Sequence, residues 1–318
     1  AENPALSSTY TAPWWLPGGH LQSIWPSLRR PPRVSMQRSR WATPDGDFID
    51  VDFAGDPMAE RLLVLFHGLE GGSDSHYARA VAGHGESHGW RVAIPHFRGC
   101  SGEPNRLPRA YHSGDSDEVD WILRRFKRPV YAAGVSLGGN ALLKWLGERS
   151  EAAREVVLRA AAVSAPLNVA ASGDCLDRGI NRLIYVRHFL ATLKPKSLAK
   201  LARHPQLFDA ARVRAARSFR EFDNLVTAPL HGFRDTDDYW TRASSAPWLE
   251  RIRVPTLLLN ARNDPFLPEH ALEAATQKAA PALLLEFPHS GGHCGFLSGP
   301  SPGLHTWLPQ RLFGFFAS

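Results

Sequence analysis

The sequence predicts an α/β protein built on a mostly parallel, doubly wound sheet, with an N-terminal antiparallel hairpin and a helical cap insertion. Three observations support this prediction. Short apolar runs alternate with amphipathic stretches along most of the chain, which is typical of strands joined by helical crossovers. A Pro-Asp-Gly turn at 44–46 joins two strand-like runs, and one gap between later runs is far longer than a crossover needs.

The hairpin is predicted at 34–43 and 48–53, on either side of that turn. The apolar runs that follow have the length and composition of strands covered on both faces. They lie at 62–66, 91–95, 130–134, 160–164, 256–260 and 283–287. Helices are predicted between them at about 76–87, 115–127, 137–149 and 268–278.

Two segments depart from this alternation within what we expect to be a single domain, 1–318. Residues 1–33 are rich in Pro, Trp and Gly (PWWLPGGHLQSIWP), and we expect an irregular N-terminal arm laid against the core. About ninety residues separate the runs at 160–164 and 256–260, and a structureless loop of that length is implausible in a compact domain. We therefore expect a helical cap insertion at about 166–250.

The charge of the chain is concentrated in this insertion. The net charge is +6, and residues 175–247 hold 13 Lys and Arg against seven Asp and Glu. Such a segment forms either a solvated arginine-rich face or a peripheral contact with an anionic membrane. No nucleic-acid-binding motif accompanies the charge, so we do not expect a nucleic-acid partner.

Several function classes are not expected from the sequence. No apolar run reaches the roughly 18 residues of a membrane-spanning helix, and the first residues lack a signal-peptide pattern. Cys100, Cys175 and Cys294 are too scattered for a disulfide framework or a zinc site. The glycines at 68–72 match neither a dinucleotide nor a phosphate-binding pattern, so we expect no cofactor. We expect a cytoplasmic protein, with membrane association as the alternative.

Two Gly-x-Ser-x-Gly patterns compete for the role of nucleophile, one around Ser136 and one around Ser87. A nucleophilic serine on this turn needs a strand before it and a helix after it, so that the turn exposes its hydroxyl. Ser136 has both, whereas Ser87 ends a predicted helix and precedes a strand. The N–H of Leu137 then becomes one oxyanion donor, and the loop after the 62–66 strand makes the N–H of Leu69 the second. The glycines of that loop could instead serve only a tight turn, with His67 as a buttress.

The acid and the base should follow late strands, in the chain order Ser, acid, His. Asp264 follows the run at 256–260, although an Asn-Asp-Pro turn offers a structural explanation for it. Its rivals Asp235, Asp237 and Asp238 lie in the insertion and follow no strand. After the last strand, two histidines could serve as the base. The glycines around His293 favour it over His289, but position in the sequence alone does not exclude His289. Cys294 is expected to be a small packing residue.

These residues lie within longer stretches that resemble the YheT-like branch of the α/β-hydrolases, which includes yeast medium-chain ethyl-ester synthase/esterases and animal lipases. The matching stretches include PWWLPGGHLQSIWP, HGLEGGSDSHYAR, GVSLGGNALLKWLGE, NARNDPFLP and SGGHCGF. The resemblance implies the α/β-hydrolase fold and a catalytic triad of Ser136, Asp264 and His293. It also implies that the first stretch is a family signature, whose Trp14, Trp15 and Trp25 we expect to pack against the core.

The predicted function is that of a serine carboxylester hydrolase acting on short- to medium-chain acyl esters through an acyl-enzyme on Ser136. The expected partner is a small-molecule acyl ester or lipid. Two alternatives stay open: an acyltransferase that passes the acyl group to an alcohol, and a non-catalytic binding protein on the same scaffold. The resemblance leaves the acyl chain and the head group undefined.

Overall fold

The computed structural model describes residues 5–318, and a single eight-stranded sheet forms its centre. The strands are β1 (Gln37–Ala42), β2 (Phe48–Ala54), β3 (Leu62–Phe66), β4 (Arg91–Pro95), β5 (Val130–Val135), β6 (Val157–Val163), β7 (Thr256–Leu259) and β8 (Leu283–Glu286). Their order across the sheet is β1-β2-β4-β3-β5-β6-β7-β8. β2 is antiparallel to both neighbours, and the remaining pairs are parallel. The predicted mostly parallel sheet with an N-terminal antiparallel hairpin is therefore confirmed.

Helices connect the strands and cover both faces of the sheet. They are α1 (Gly19–Leu28), α2 (His76–Ser87), α3 (Ser116–Arg125), α4 (Leu137–Arg149), α5 (Val169–Leu176), α6 (Gly179–Asn181), α7 (Arg187–Lys200), α8 (Ala210–Ala215), α9 (Phe219–Phe222), α10 (Ala228–Leu230), α11 (Thr236–Ala243), α12 (Glu269–Thr276) and α13 (Trp307–Ala317). π-helical turns, Arg182–Val186 and Asp223–Thr227, link α6 to α7 and α9 to α10. Within residues 5–318, no helix is both long and apolar enough to span a bilayer.

The core lies on both sides of the sheet, because alternate residues of each central strand face opposite layers. In β3, Leu62, Val64 and Phe66 pack in one apolar cluster with α3, α4 and α12. Leu63 and Leu65 face the other cluster, with α2 and α13. Every residue of β3 is buried, as expected for a strand covered on both faces.

Helices α5 to α11 all lie between β6 and β7, in the stretch where the cap insertion, about 166–250, was predicted. All of them except α6 contribute to a third apolar cluster, which includes Phe222 and Trp240. Phe266, from the loop after β7, belongs to the same cluster. This segment therefore packs directly against a loop at the carboxyl edge of the sheet.

The sequence interpretation was wrong in two places. Part of the expected irregular arm is helical, because α1 begins at Gly19, directly after Gly18, and continues through Pro26. Its buried face carries Gln22 and Ser23 as well as Pro26, so the usual apolar periodicity is absent. Helix α13 was not predicted either, since Pro309 and Gly314 interrupt its short apolar run. Residues 1–4 of the expected arm lie outside the described part of the chain.

Candidate active site

Ser136 occupies the turn between β5 and α4. Its backbone has φ 53° and ψ −119°, a strained conformation for a residue with a side chain, and its N–H donates to the Val163 carbonyl at 2.8 Å. A Cβ at Gly138 would lie 2.4 Å from the Phe66 carbonyl oxygen, and one at Gly134 would lie 2.5 Å from the Gly138 carbonyl oxygen. The two glycines of the pattern are therefore required by close backbone contacts around the serine.

A continuous chain of hydrogen bonds joins Ser136, His293 and Asp264. His293 Nε2 lies 2.9 Å from Ser136 Oγ, and His293 Nδ1 lies 2.9 Å from Asp264 Oδ2. Asp264 Oδ1 also accepts the Phe266 N–H at 2.8 Å, which fixes the carboxylate. The structure thus brings together the three side chains that the sequence singled out, although they are up to 157 residues apart.

The surroundings of His293 favour its charged form. Its ring stacks on Phe266 with 3.6 Å between ring centroids and 5° between the planes. Burial alone disfavours the imidazolium, but the Asp264 carboxylate and the neighbouring Cys294 together outweigh it and raise the pKa of His293 above its ordinary value. A histidine held in this way can accept a proton from Ser136 and be stabilised once charged.

Helix α1 holds the loops that carry this acid and base. The Gln22 side-chain oxygen accepts two hydrogen bonds at 2.9 Å, one from the Asn263 side chain and one from the Gly291 N–H. The Ser23 hydroxyl accepts the His293 N–H at 2.8 Å. Sequence reasoning missed both residues, since they lie in the segment interpreted as an irregular arm.

The tryptophans near α1 do not behave alike. Trp15 and Trp25 stack edge to face, and their ring N–H groups donate to Gly299 and Pro302, in the chain just beyond the His293 loop. Trp14 is 92% exposed, so the expectation that it packs against the core is wrong. Of these two neighbours, it is Trp15 whose ring N–H donates a hydrogen bond, to the Gly299 carbonyl.

The loop after β3 lies beside Ser136, where the second oxyanion donor was predicted. A Cβ at Gly68 would be 3.2 Å from the Ser136 Cβ. Hydroxyls hold the loop on both sides of Leu69: Tyr77 accepts the Gly68 N–H and Tyr111 accepts the Glu70 N–H, each at 2.8 Å. Within residues 5–318, the N–H groups of Leu69 and Leu137 have no hydrogen-bond acceptor, so both are free to bind a ligand oxygen.

His67 supports the same loop from below. It is fully buried, its Nε2 accepts the Phe97 N–H at 2.9 Å, and its Nδ1 lies 2.7 Å from the Gly68 carbonyl. Burial lowers the pKa of His67 to about 3, so it stays neutral and donates from Nδ1. This is the buttress that the sequence offered as the alternative role for His67.

Glu70 connects this loop to helix α7. Its Oε2 accepts the Tyr111 hydroxyl at 2.6 Å and the Lys196 ammonium at 2.7 Å. Burial works against a charged Lys196, but Cys100 and Glu70 outweigh it and raise the Lys196 pKa above its usual value. Glu70 itself has a positive φ of 55°, directly after Leu69, the predicted donor. The sequence gave no signal for this contact, because its partners are 126 residues apart.

The rival candidates take no part in this chain of hydrogen bonds. Ser87 ends α2, where its exposed hydroxyl bonds to His84 and His88. Asp235 caps α11 by accepting the Asp238 N–H, and Asp237 pairs with Arg220. His289 is exposed, and Cys294 is buried with its N–H on the Ser164 hydroxyl.

Two cavities meet at Ser136, and Leu69, Phe189 and Phe266 also line both. The inner cavity extends under the 166–250 segment, and its apolar walls include Val169, Leu176, Leu193, Phe222, Val226 and Trp240. The outer cavity lies on the side of His293 and is lined by residues that include Ser23, Ile24, Leu28, Ile184, Tyr185 and His188. Among residues 5–318, no group of three His, Cys, Asp or Glu side chains is placed to hold a metal ion.

Comparison with known proteins agrees with this fold. The profile of the α/β hydrolase fold matches residues 61–300, which include the turn at Ser136 and both loops that hold Asp264 and His293. The chain belongs to the α/β-hydrolase family. Its matching relatives place it among the esterase- and lipase-type hydrolases, and the resemblance seen in the sequence is confirmed.

Two relatives and one solved structure indicate the range of this family. The chain is 38% identical to the YheT protein of Escherichia coli K12, over 92% of this chain and 88% of that protein. It is 30% identical to human phospholipase ABHD3, over 98% of this chain and 78% of that protein. The esterase EaEST from Exiguobacterium antarcticum has the same fold with a TM-score of 0.59 at 17% identity, covering 88% of this chain and 99% of that one.

Proposed function

We propose that the α/β-hydrolase described here is a serine carboxylester hydrolase with Ser136 as nucleophile, His293 as general base and Asp264 as the acid that orients it. The observation that carries the proposal is the hydrogen-bond chain from Asp264 through His293 to Ser136, placed where two cavities meet. A serine hydroxyl is a weak nucleophile by itself, and a hydrogen-bonded imidazole at this distance can remove its proton during attack.

In the first step, His293 Nε2 takes the proton of Ser136 Oγ as Oγ bonds to the ester carbonyl carbon. The carbonyl oxygen becomes an oxyanion and accepts hydrogen bonds from the Leu69 and Leu137 N–H groups. Leu137 is the first residue of α4, so the helix dipole adds favourable charge at the same point. The imidazolium then gives its proton to the leaving alkoxide as the acyl carbon–oxygen bond breaks, which leaves an acyl-enzyme.

In the second step, His293 removes a proton from water, and the resulting hydroxide attacks the acyl carbon. The Ser136 Oγ–carbon bond breaks, the proton returns to Oγ, and the carboxylic acid is released. Asp264 holds the proton of His293 on Nδ1, so that Nε2 faces Ser136 in both steps. The strained backbone of Ser136 keeps Oγ presented between the cavities throughout.

We assign the inner cavity to the acyl chain and the outer cavity to the alcohol part of the ester. The inner walls are mainly apolar, as an acyl chain requires. Asp223, Thr227 and His231 interrupt those walls with polar groups, and burying a long chain against them would cost free energy. This favours short- to medium-chain acyl groups. In this proposal the 166–250 segment acts as a cap that closes the inner cavity from water.

Transfer of the acyl group to an alcohol is the second candidate function. The outer cavity lies beside His293, where an alcohol could take the place of water in the second step. Adding ethanol to the reaction distinguishes the two reactions, because transfer yields an ethyl ester whereas hydrolysis yields only the free acid. Absence of ethyl ester at high ethanol would exclude the transferase.

The decisive experiment measures hydrolysis of p-nitrophenyl esters, from acetate to palmitate, by the wild type and by Ser136→Ala. We expect the substitution to lower kcat by about 10³-fold or more, because the acyl-enzyme can no longer form. Ser87→Ala is the matched control, since it removes the other Gly-x-Ser-x-Gly hydroxyl, and it should keep wild-type activity and fluorophosphonate labelling. Equal losses in both variants, or labelling of Ser136→Ala, would contradict the assignment.

A further inference from the structure

Two helical stretches from distant parts of the chain flank the mouth of the outer cavity. One is α1, and the other runs from α6 through the π-helical turn into α7. They meet where His20 Nδ1 lies 2.8 Å from the Tyr185 hydroxyl, with the two rings stacked. Ile24 of the first stretch and Ile184 of the second both line the cavity. The mouth is therefore framed by these two stretches.

Both stretches expose large apolar side chains beside this mouth. In α1, Leu21, Ile24 and Leu28 follow one another at helical spacing, and Leu21 and Leu28 are 51% and 69% exposed. In the second stretch, Ile180 is 55% exposed and lies one helical turn before Ile184. Leu183, the residue directly before Ile184, is 65% exposed. Apolar side chains gathered around a cavity mouth are unusual on a water-facing surface and mark an interaction site.

Arginines surround these apolar side chains. Arg29, Arg30 and Arg33 follow α1 directly, and Arg182 and Arg187 lie beside the exposed apolar residues of the second stretch. Arg30, Arg33 and also Arg79 share one carboxylate, that of Asp74. Within residues 5–318, Arg29, Arg182 and Arg187 form no ion pair with a carboxylate. The face around the mouth therefore carries excess positive charge.

We propose that this face, called here the docking surface, binds the surface of an anionic lipid bilayer. It consists of Leu21, Leu28, Ile180 and Leu183 with the arginines around them. The apolar side chains would enter the headgroup region, and the arginines would bind lipid phosphates. This inference rests on the proposed function, since docking there would place the outer cavity against the membrane that holds an ester lipid.

The charge of the docking surface favours a bilayer over a second copy of the chain. A symmetric dimer through this face would bring the same arginines of both copies together without opposing carboxylates. An anionic bilayer supplies both the negative charge and the apolar depth that the surface needs. The membrane contact expected from the basic insertion is thereby placed on α1 as well as on the 166–250 segment.

The test compares sedimentation with vesicles of phosphatidylcholine alone and of phosphatidylcholine mixed with phosphatidylglycerol. The variants are Leu21→Asp with Leu183→Asp, and Arg182→Gln with Arg187→Gln. The matched control is the double variant Met58→Asp with Leu158→Asp. Both residues are exposed and apolar, and they lie before β3 and at the start of β6. They are therefore away from the carboxyl edge of the sheet, which carries the site. Hydrolysis of a water-soluble ester without vesicles is measured for every variant to establish folding and basal activity.

We expect the wild type to prefer the mixed vesicles, and each docking-surface variant to bind them about tenfold more weakly while basal activity stays unchanged. The arginine variant should lose most of its preference for anionic lipid, and the control should bind like the wild type. The proposal would be overturned if the Leu21/Leu183 variant bound the mixed vesicles as tightly as the wild type does. It would also be overturned if the wild type bound both kinds of vesicle equally. A concentration-dependent dimer abolished by that variant would assign the surface to a second copy instead. Failure of the proposed function would appear separately, as absent basal activity in the wild type.

Discussion

Lys196→Met tests whether helix α7 positions the loop after β3, which carries the proposed oxyanion donor Leu69. The substitution removes the ammonium that donates to Glu70 at 2.7 Å and keeps much of the apolar stem. Glu70 is nearly buried, with a side chain 7% exposed, and its Oε1 has no hydrogen-bond partner among residues 5–318. In the variant, Oε2 of this carboxylate would keep the hydrogen bond from the Tyr111 hydroxyl and the weak contact with the Cys100 thiol.

The size of the effect follows from the exposure of the pair. Breaking a fully buried ion pair costs about 3–5 kcal/mol, whereas exposed pairs contribute about 0–1 kcal/mol. Lys196 is 37% exposed, so we expect the free energy of unfolding to fall by about 1–2 kcal/mol. Complete loss of an oxyanion donor lowers kcat by about 10²–10³-fold. A shifted Glu70 would only displace the adjacent Leu69 N–H, so we expect kcat to fall about tenfold, with KM nearly unchanged.

The assay combines urea unfolding with steady-state hydrolysis of a p-nitrophenyl ester. Glu70→Gln and the double variant complete a cycle, in which the two effects on kcat should be strongly non-additive. Lys194→Met is the control on the same helix, because within residues 5–318 the Lys194 ammonium donates only to the Arg214 carbonyl. A fall in stability with kcat unchanged, or additive effects in the cycle, would refute the positioning role and leave the pair as a purely structural contact.

Two further predictions concern pH. Asp264→Asn removes the carboxylate that raises the pKa of His293, so the midpoint of the rise of kcat/KM with pH should move to lower pH while the maximal rate falls by about 10²-fold or more; a pH–rate profile with an unshifted midpoint would contradict the pairing. In the inner cavity, burial raises the pKa of Asp223 to about 6. Because this folded-state pKa lies above the unfolded value, the protonated carboxyl favours folding at low pH, and stability is lost as the pH rises through about 6. Asp223→Asn cannot ionise, so it should raise Tm relative to the wild type at about pH 8 but not at about pH 3.5, below the unfolded-state pKa, and equal effects at both would exclude titration of this carboxyl.

The sheet could be predicted from the sequence because strands that are buried on both faces consist of continuous runs of apolar residues. The predicted runs at 62–66 and 91–95 coincide with β3 and β4. Strand β6 begins three residues before the predicted run, at Val157, because the partly buried Arg159 interrupts the apolar sequence between Leu158 and Ala160. The start of β6 was therefore not predicted, because the strand is incompletely buried there and its residues do not form a continuous apolar run.

The positions of Ser136, Asp264 and His293 were predictable for a different reason. Each follows a parallel strand, and the carboxyl ends of parallel strands meet at one edge of the sheet. Gln22, Ser23 and Glu70 could not be found in this way. Their partners are distant in the chain, and nothing in the local pattern around them records a hydrogen bond to a remote loop.

Helix α1 therefore belongs to the active site as much as to the surface. Its inner face supplies the Gln22 oxygen that joins the Asp264 loop to the His293 loop, and the Ser23 hydroxyl that holds the His293 backbone. Its outer face carries the exposed Leu21 and Leu28 of the docking surface. Since a helix moves as a rigid body, a force on the outer face is transmitted to the loops that set the distance between His293 and Ser136. Under the two proposals above, docking and the alignment of the triad would act through one element, which gives a physical reason for a segment before the first strand to take part in the site.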